Sequence, residues 1–259
     1  KAFYCIETKF ERQDRPAVSA VELIEDALVG ILNGTPCCAD GDVKITLAIE
    51  DAPEEVSNPE QAYSIVASDK SIKVTGYGSL GLYYGALTLK QCLRLKDNVL
   101  KLPAMKILDW PDLKTRGHFM ESRYGTNLMT LDDWRYLVDH MAGMKMNQLV
   151  VSLYGCWCVQ YDGRVSEYFY VPIKKYPKLK TPVVTRYYSP KQSRWIDWEQ
   201  LPPMFEEDFF GELIAYGKTK GVTVFPLVNS YGHNTLIPAQ YPEVSAKDEA
   251  GNVAKKKTL

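Results

Sequence analysis

Two segments constrain this chain more than any others: NQLVVSLY at 147–154 and VTVFPLV at 222–228, each apolar on both alternations and each preceded by a helical pattern. Strands apolar on both sides are covered on both sides, which is the habit of parallel sheets whose crossovers are helices. Before the first, Thr130 and Asp133 make a capping-box start, and Trp134, Leu137, Val138, Met141 and Met144 trace one helical face. Before the second, Phe209, Phe210, Leu213, Ile214 and Gly217 form a helix that Lys220-Gly221 stops. HFMES at 118–122 supplies an earlier short strand, and a long excursion follows NQLVVSLY. The repeated unit predicts a (β/α) barrel of which three strands are present. The last strand would then have an unpaired apolar edge, which solvated sheets avoid, so the barrel is expected to continue past Leu259. A complete small doubly wound α/β protein is the alternative.

The front of the chain follows another grammar. FYCIETKF reads as a strand, and a helix begins near Pro16 with Val21, Ile24, Leu28 and Ile31 on one face and Asn33-Gly34 as its stop. KITLAIE is a strand, AYSIVAS and SIKVTG form a hairpin around Asp69-Lys70, and Ser79 is placed to cap a helix through LGLYYGALTLKQCL. Two helices on one sheet are expected. ILDWPDLKTRG carries turn residues between elements and puts the boundary near residue 112, giving a 1–112 α+β domain and a 113–259 barrel portion.

Charge excludes some partners. With 31 basic against 32 acidic residues, the chain as a whole has no field to draw in nucleic acid or an anionic membrane. No apolar run approaches the roughly 20 residues that cross a bilayer, and KAFYCIETKF lacks the regions of a signal peptide, so it reads as a mature or trimmed start. Six cysteines are too sparse for a disulfide-built scaffold.

Two motifs invite over-reading. Gly76-Tyr77-Gly78-Ser79-Leu80-Gly81 fits G-x-G-x-x-G, but its preceding strand closes a hairpin, and Asp97 lies in a turn before VLKL instead of at the end of the next strand. Nucleotide binding is thus an alternative, and a tight turn that needs glycine is the plainer reading. Cys156-Trp157-Cys158 has no second ligand cluster near it, and His118, His140 and His233 lie far away, so no metal site is expected. The excursion from Tyr154 to Trp198 holds 11 of the 30 aromatic residues, and rings with polar tips suit a sugar or a loop packed on itself.

In a (β/α) barrel the ligand meets the C-terminal ends of the strands. Here the first strand runs through Arg116, Gly117 and His118 to Glu121, Arg123 and Tyr124, the second gives Ser152 and Tyr154, and the third Asn229, Tyr231 and His233. GYGSLGLYYGALTLKQCL, LPAMKILDWPDLKTRGHFMESRYG, MKMNQLVVSLYG, VFPLVNSYGHNT and YPEVSAKDEAGN, in that order, resemble the family 20 glycoside hydrolases, the β-N-acetylhexosaminidases. The resemblance implies an α+β accessory domain followed by the N-terminal part of a (β/α)8 TIM-type barrel. It implies removal of terminal N-acetylhexosamine from glycans by a substrate-assisted retaining mechanism, with no cofactor, and an extracytoplasmic (secreted or periplasmic) location.

On the family's R-G-x-x-x-D-x-x-R pattern, Arg116 falls on the arginine that grips sugar hydroxyls and Glu121 on the aspartate, with Arg123 one position short of the closing arginine. On P-E-x-D-x-P-G-H, Gly232 and His233 are kept, while Leu227, Asn229 and Tyr231 replace other residues, the acids among them. H-x-H-x-x-D-D is absent at Val150, Ser152, Gly155 and Cys156. Arg116, Glu121 and Tyr124-Gly125 also resemble the first strand of the related O-GlcNAc hydrolases. The implied substrate contacts are Arg116, Glu121, Tyr154, Asn229 and His233, with the catalytic Asp-Glu pair beyond Leu259. The lost acids leave a non-catalytic carbohydrate-binding protein as an alternative.

Overall fold

A computed structural model describes residues 3–11, 13–32, 35–36, 43–96, 99–121, 126–156, 167–229 and 236–253. The chain divides into two compact units: residues 1–116 with 138–147 and 216–222, and residues 117–137, 148–215 and 223–259.

The first unit is built on β1 (Phe3–Lys9), β2 (Thr35–Pro36), β3 (Val43–Ile49), β4 (Tyr63–Ala67), β5 (Ser71–Gly76) and, after the small β6–β7 ribbon (Arg94–Lys96, Val99–Lys101), β8 (Met105–Asp109). The sheet order is β2-β1-β3-β5-β4-β8, parallel through β5 and antiparallel from β5 to β8. Helices α1 (Arg15–Leu32) and α2 (Ser79–Cys92) pack along each other, and α2 lies on β5, β4 and β3. In α1, Ile24 and Leu28 of the expected face are buried with Ala17, Ala20 and Ala27. Seven consecutive residues of α2, Gly81 to Leu87, are buried, as in a helix covered all round.

The glycine turn serves this packing. A Cβ on Gly81 would fall on the Ala62 carbonyl oxygen, one on Gly78 on Glu60, and one on Gly85 would stand 2.6 Å from Val74 Cγ1. The strand that follows α2 pairs only into the β6–β7 ribbon, so no βαβ unit forms. Ser79 is not the cap: Gly78 holds that place in extended conformation, and Ser79 is already helical. Asn33-Gly34 and Asp97 lie outside the described residues.

In the second unit β9 (Gly117–Met120), β10 (Gln148–Ser152) and β15 (Thr223–Leu227) form the expected parallel sheet, with β10 in the middle. One face buries Leu149, Val151 and Val224, whereas the row Phe119–Val150–Phe225, in register across the three strands, leaves Phe119 50% and Phe225 42% exposed. The expectation of strands covered on both sides therefore holds for one side among the described residues.

Helix α3 (Leu131–Gly143) follows the Thr130–Asp133 start, and α5 (Phe210–Thr219) ends at the Lys220-Gly221 stop. Thr130 N–H and Oγ1 both donate to Asp133 Oδ2, at 2.8 and 2.7 Å, and Asp133 N–H returns to Thr130 Oγ1 at 3.4 Å. Both helices end in a Schellman motif. Val222 and Gly221 N–H donate to the Gly217 and Lys218 carbonyls, with Gly221 at φ +68°, and Met146 and Lys145 N–H donate to Met141 and Ala142. Met144, expected on the helical face, lies past the last turn and is exposed.

Among the described residues the excursion after β10 contains two hairpin ribbons, β11 (Tyr154–Cys156) with β12 (Glu167–Phe169) and β13 (Val183–Ser189) with β14 (Arg194–Gln200). With α4 (Pro203–Glu206) and α6 (Leu236–Gln240), it contributes the cluster of Tyr154, Phe169, Leu179, Phe205 and Leu236.

Candidate functional site

Of the residues singled out at the strand ends, Arg116 lies in the first unit and Glu121, Ser152, Tyr154 and Asn229 in the second. Glu121 and Asn229 do stand just past β9 and β15; Glu121 is exposed, its carbonyl accepting the Thr126 hydroxyl at 3.1 Å, and Asn229 is half-buried. Ser152, at the end of β10, is buried and donates to the Tyr154 carbonyl at 3.1 Å.

Tyr154 begins β11. Its ring is fully enclosed, packs on Phe169 with centroids 4.5 Å apart, and its hydroxyl accepts the Leu236 N–H at 3.3 Å. A sugar has no access to it in this conformation, and it works as the keystone that fastens the hairpin to α6. The cavity beside it, lined by Met120, Trp134, Ser152 and Tyr170 among others, has a volume of about 10 Å³. That is room for one water at most. His233, with Tyr231, Arg123 and Tyr124, lies outside the described residues.

Arg116 directly precedes β9. It sits in the first unit, and a guanidinium has five N–H donors. Nε donates to the Lys145 carbonyl at 2.8 Å; Nη1 to Gln61 Oε1 at 2.9 Å and to the Leu113 carbonyl at 2.6 Å; Nη2 to Tyr84 Oη at 3.0 Å and again to Lys145 at 2.5 Å. All five are committed to protein acceptors, so none is left for a sugar hydroxyl in this arrangement. The backbone joins in: Arg116 N–H donates to Asn147 Oδ1, and Asn147 N–H donates to the Arg116 carbonyl, both at 2.8 Å. Asn147 Nδ2 reaches the Lys114 carbonyl at 2.8 Å and Gln61 Oε1 at 3.3 Å.

Lys145 carries the same network onward. Its ammonium donates to Tyr63 Oη at 2.7 Å and Thr88 Oγ1 at 2.8 Å, and lies 3.7 Å from Asp109 Oδ2. Tyr63 gives its single hydroxyl proton to Asp109 at 2.5 Å, so Thr88, 2.7 Å away, must be the donor to Tyr63. Burial holds the Lys145 ammonium below the ordinary lysine value, with Asp109 opposing that shift. Burial pushes Tyr84 up to about 12, with the Arg116 guanidinium pulling the other way. Burial and the bond to Asp109 raise Tyr63. These groups line a cavity of about 110 Å³ with Trp110 and Pro111.

Sequence reasoning missed this network because its members, Gln61, Tyr63, Tyr84, Thr88, Asp109, Lys145 and Asn147, are spread over 87 positions. The available signal was Lys145 itself. It occupies, at φ +57°, the left-handed position closing α3, where α5 uses Gly221. Holding a side chain there costs about 1 kcal/mol, and the ammonium's bonds are what the side chain provides.

A family model described as "Glycosyl hydrolase family 20, domain 2" matches residues 18–110, and one described as "Glycosyl hydrolase family 20, catalytic domain" matches residues 123–258. The chain is 27% identical over 186 residues to a Beta-hexosaminidase of Akkermansia muciniphila, covering 70% of this chain and 34% of that protein. It is 23% identical over 193 residues to a Beta-hexosaminidase of Porphyromonas gingivalis, covering 72% and 22%. The structure of the beta-N-acetylhexosaminidase from Streptomyces coelicolor superposes with a TM-score of 0.64 at 16% identity, covering 98% of this chain and 46% of that one. The chain thus spans about a third or less of the length of the curated relatives it matches. The likeness fixes the fold: an accessory domain followed by part of a TIM-type barrel, to which β9, β10 and β15 belong.

Proposed function

The chain belongs to glycosyl hydrolase family 20, and on that premise we propose that it is a portion of an enzyme that removes terminal N-acetylhexosamine from glycans. The observation that carries the reading is the catalytic-domain match over residues 123–258, which contain two of the three parallel strands. The carbonyl oxygen of the substrate's own acetamido group attacks the anomeric carbon as the glycosidic bond breaks. A carboxylic acid protonates the departing oxygen, and water then opens the cyclic intermediate with retention. The Asp-Glu pair that such a reaction requires is not at the ends of β9, β10 or β15. What this portion contributes is sugar contact through Glu121 and Asn229, and an extracytoplasmic site of action accompanies the proposal.

A second reading, sugar binding without turnover, is favoured by one observation. Asn229 and Tyr231 stand where the family pattern has other residues, acids among them, and Val150 and Ser152 stand where it has histidines. One experiment separates the two: the whole protein is assayed on 4-nitrophenyl N-acetyl-β-glucosaminide and on the β-glucoside that lacks the acetamido group. Turnover of the first alone is expected. Equal turnover of both refutes the acetamido mechanism, and binding of N-acetylglucosamine without turnover establishes the second reading.

A further inference from the structure

The chain as a whole is nearly neutral, with 31 basic against 32 acidic residues, yet its charge is not evenly spread. From Val171 to Ile196 there are seven basic residues, Lys174, Lys175, Lys178, Lys180, Arg186, Lys191 and Arg194, and no acidic one. All seven are exposed. Interleaved with them are Tyr176, Tyr187, Tyr188 and Trp195, exposed by 42, 47, 48 and 60%.

The rings and cations are arranged in two similar clusters within the second unit. Tyr176 and Tyr241 meet edge to face at 5.4 Å, with the Lys175 ammonium 5.5 Å from the first ring and the Lys178 ammonium 5.4 Å from the second. Lys178 N–H also donates to the Tyr241 hydroxyl at 3.2 Å. On the β13–β14 ribbon, Tyr188 and Trp195 meet edge to face at 5.7 Å, and the Arg186 guanidinium stands 5.8 Å over Trp195. Asp197 lies 3.6 Å from Arg186, just past the acid-free stretch.

Fixed rings provide faces for the C–H surfaces of sugar rings, and cations beside them provide partners for anionic substituents. We propose that residues 171–196 form a docking surface for an acidic glycan, one whose sugars carry sulfate or carboxylate groups. Charge complementarity selects that occupant over a neutral glycan, and the reading of the chain as part of a glycan-acting enzyme selects it over nucleic acid. The proposal rests on that reading.

The test uses the whole protein and chondroitin sulfate as the probe. A variant carrying Lys174→Glu, Lys175→Glu, Lys178→Glu and Arg186→Glu changes exposed side chains only; a second, in which the three lysines become arginines, keeps the charge. Wild type and the arginine variant are expected to bind with affinity that falls steeply with salt, because bound cations release the polyanion's counterions. The glutamate variant is expected to lose at least tenfold in affinity and most of the salt slope, at unchanged rate on the small chromogenic N-acetylhexosaminide. Undiminished binding by the glutamate variant overturns the proposal, as does equal affinity of wild type for DNA of matched length. If wild type hydrolyses neither chromogenic substrate yet binding is lost in the glutamate variant, the enzymatic reading falls and the surface stands.

Discussion

Replacing Arg116 separates two roles for one residue. If it grips sugar hydroxyls, Arg116→Ala leaves stability intact and weakens inhibitor binding by about 1.5–3 kcal/mol, the usual worth of charge-assisted hydrogen bonds. The structure requires the reverse. Four of its five side-chain bonds are part-buried, and the fifth, to the Leu113 carbonyl, is exposed. Each part-buried bond is worth about 1 kcal/mol net once water is allowed to replace the partner. The four share acceptors, so they do not simply add: Gln61 Oε1 keeps Asn147, and the Tyr84 hydroxyl can turn to another acceptor. A loss of about 3 kcal/mol follows. Arg116→Lys, with three donors on a point charge in place of a planar fork, should lose roughly half of that. The assay is the urea midpoint of the whole protein beside the dissociation constant of an N-acetylglucosamine-derived inhibitor. A stability loss below about 1 kcal/mol with weakened inhibitor binding would refute the structural reasoning and restore the sugar-gripping role.

Two further outcomes test the packing and electrostatics of the same unit. Gly81→Ala drives a Cβ onto the Ala62 backbone and should lower stability by about 2 kcal/mol or more, despite alanine's better helix propensity. Gly143→Ala, with nothing within 4 Å of the added carbon, should be neutral or gain up to about 1 kcal/mol; equal thermal midpoints for the two variants would contradict this. Tyr84 is raised to about 12 in the folded protein, whereas an unfolded tyrosine ionises near 10. Its contribution is therefore full below pH about 10 and is lost as pH rises toward about 12. Urea midpoints measured across that window should fall less steeply in Tyr84→Phe than in wild type, and identical slopes would count against it.

The sequence by itself determined the order and type of the main elements outside β8 and the ribbons β11–β14, because the signals for them are local. The Thr130–Asp133 box, the Lys220-Gly221 stop, the Asp69-Lys70 hairpin and the apolar strands 148–152 and 223–227 depend on neighbours a few residues away, and each lies where it was expected. The family was legible for a related reason: its motifs keep their order along the chain even where single residues have changed. Only tertiary structure decided which side chains those elements place together. Nothing near Arg116 in sequence shows that its guanidinium will be used up by Gln61, Tyr84 and Lys145, or that Tyr154 will be sealed beneath Phe169 and Leu236. Hydrogen bonding saturates, so a residue's reach toward a ligand depends on how many of its donors the fold has already taken, and that count exists only once distant segments have met.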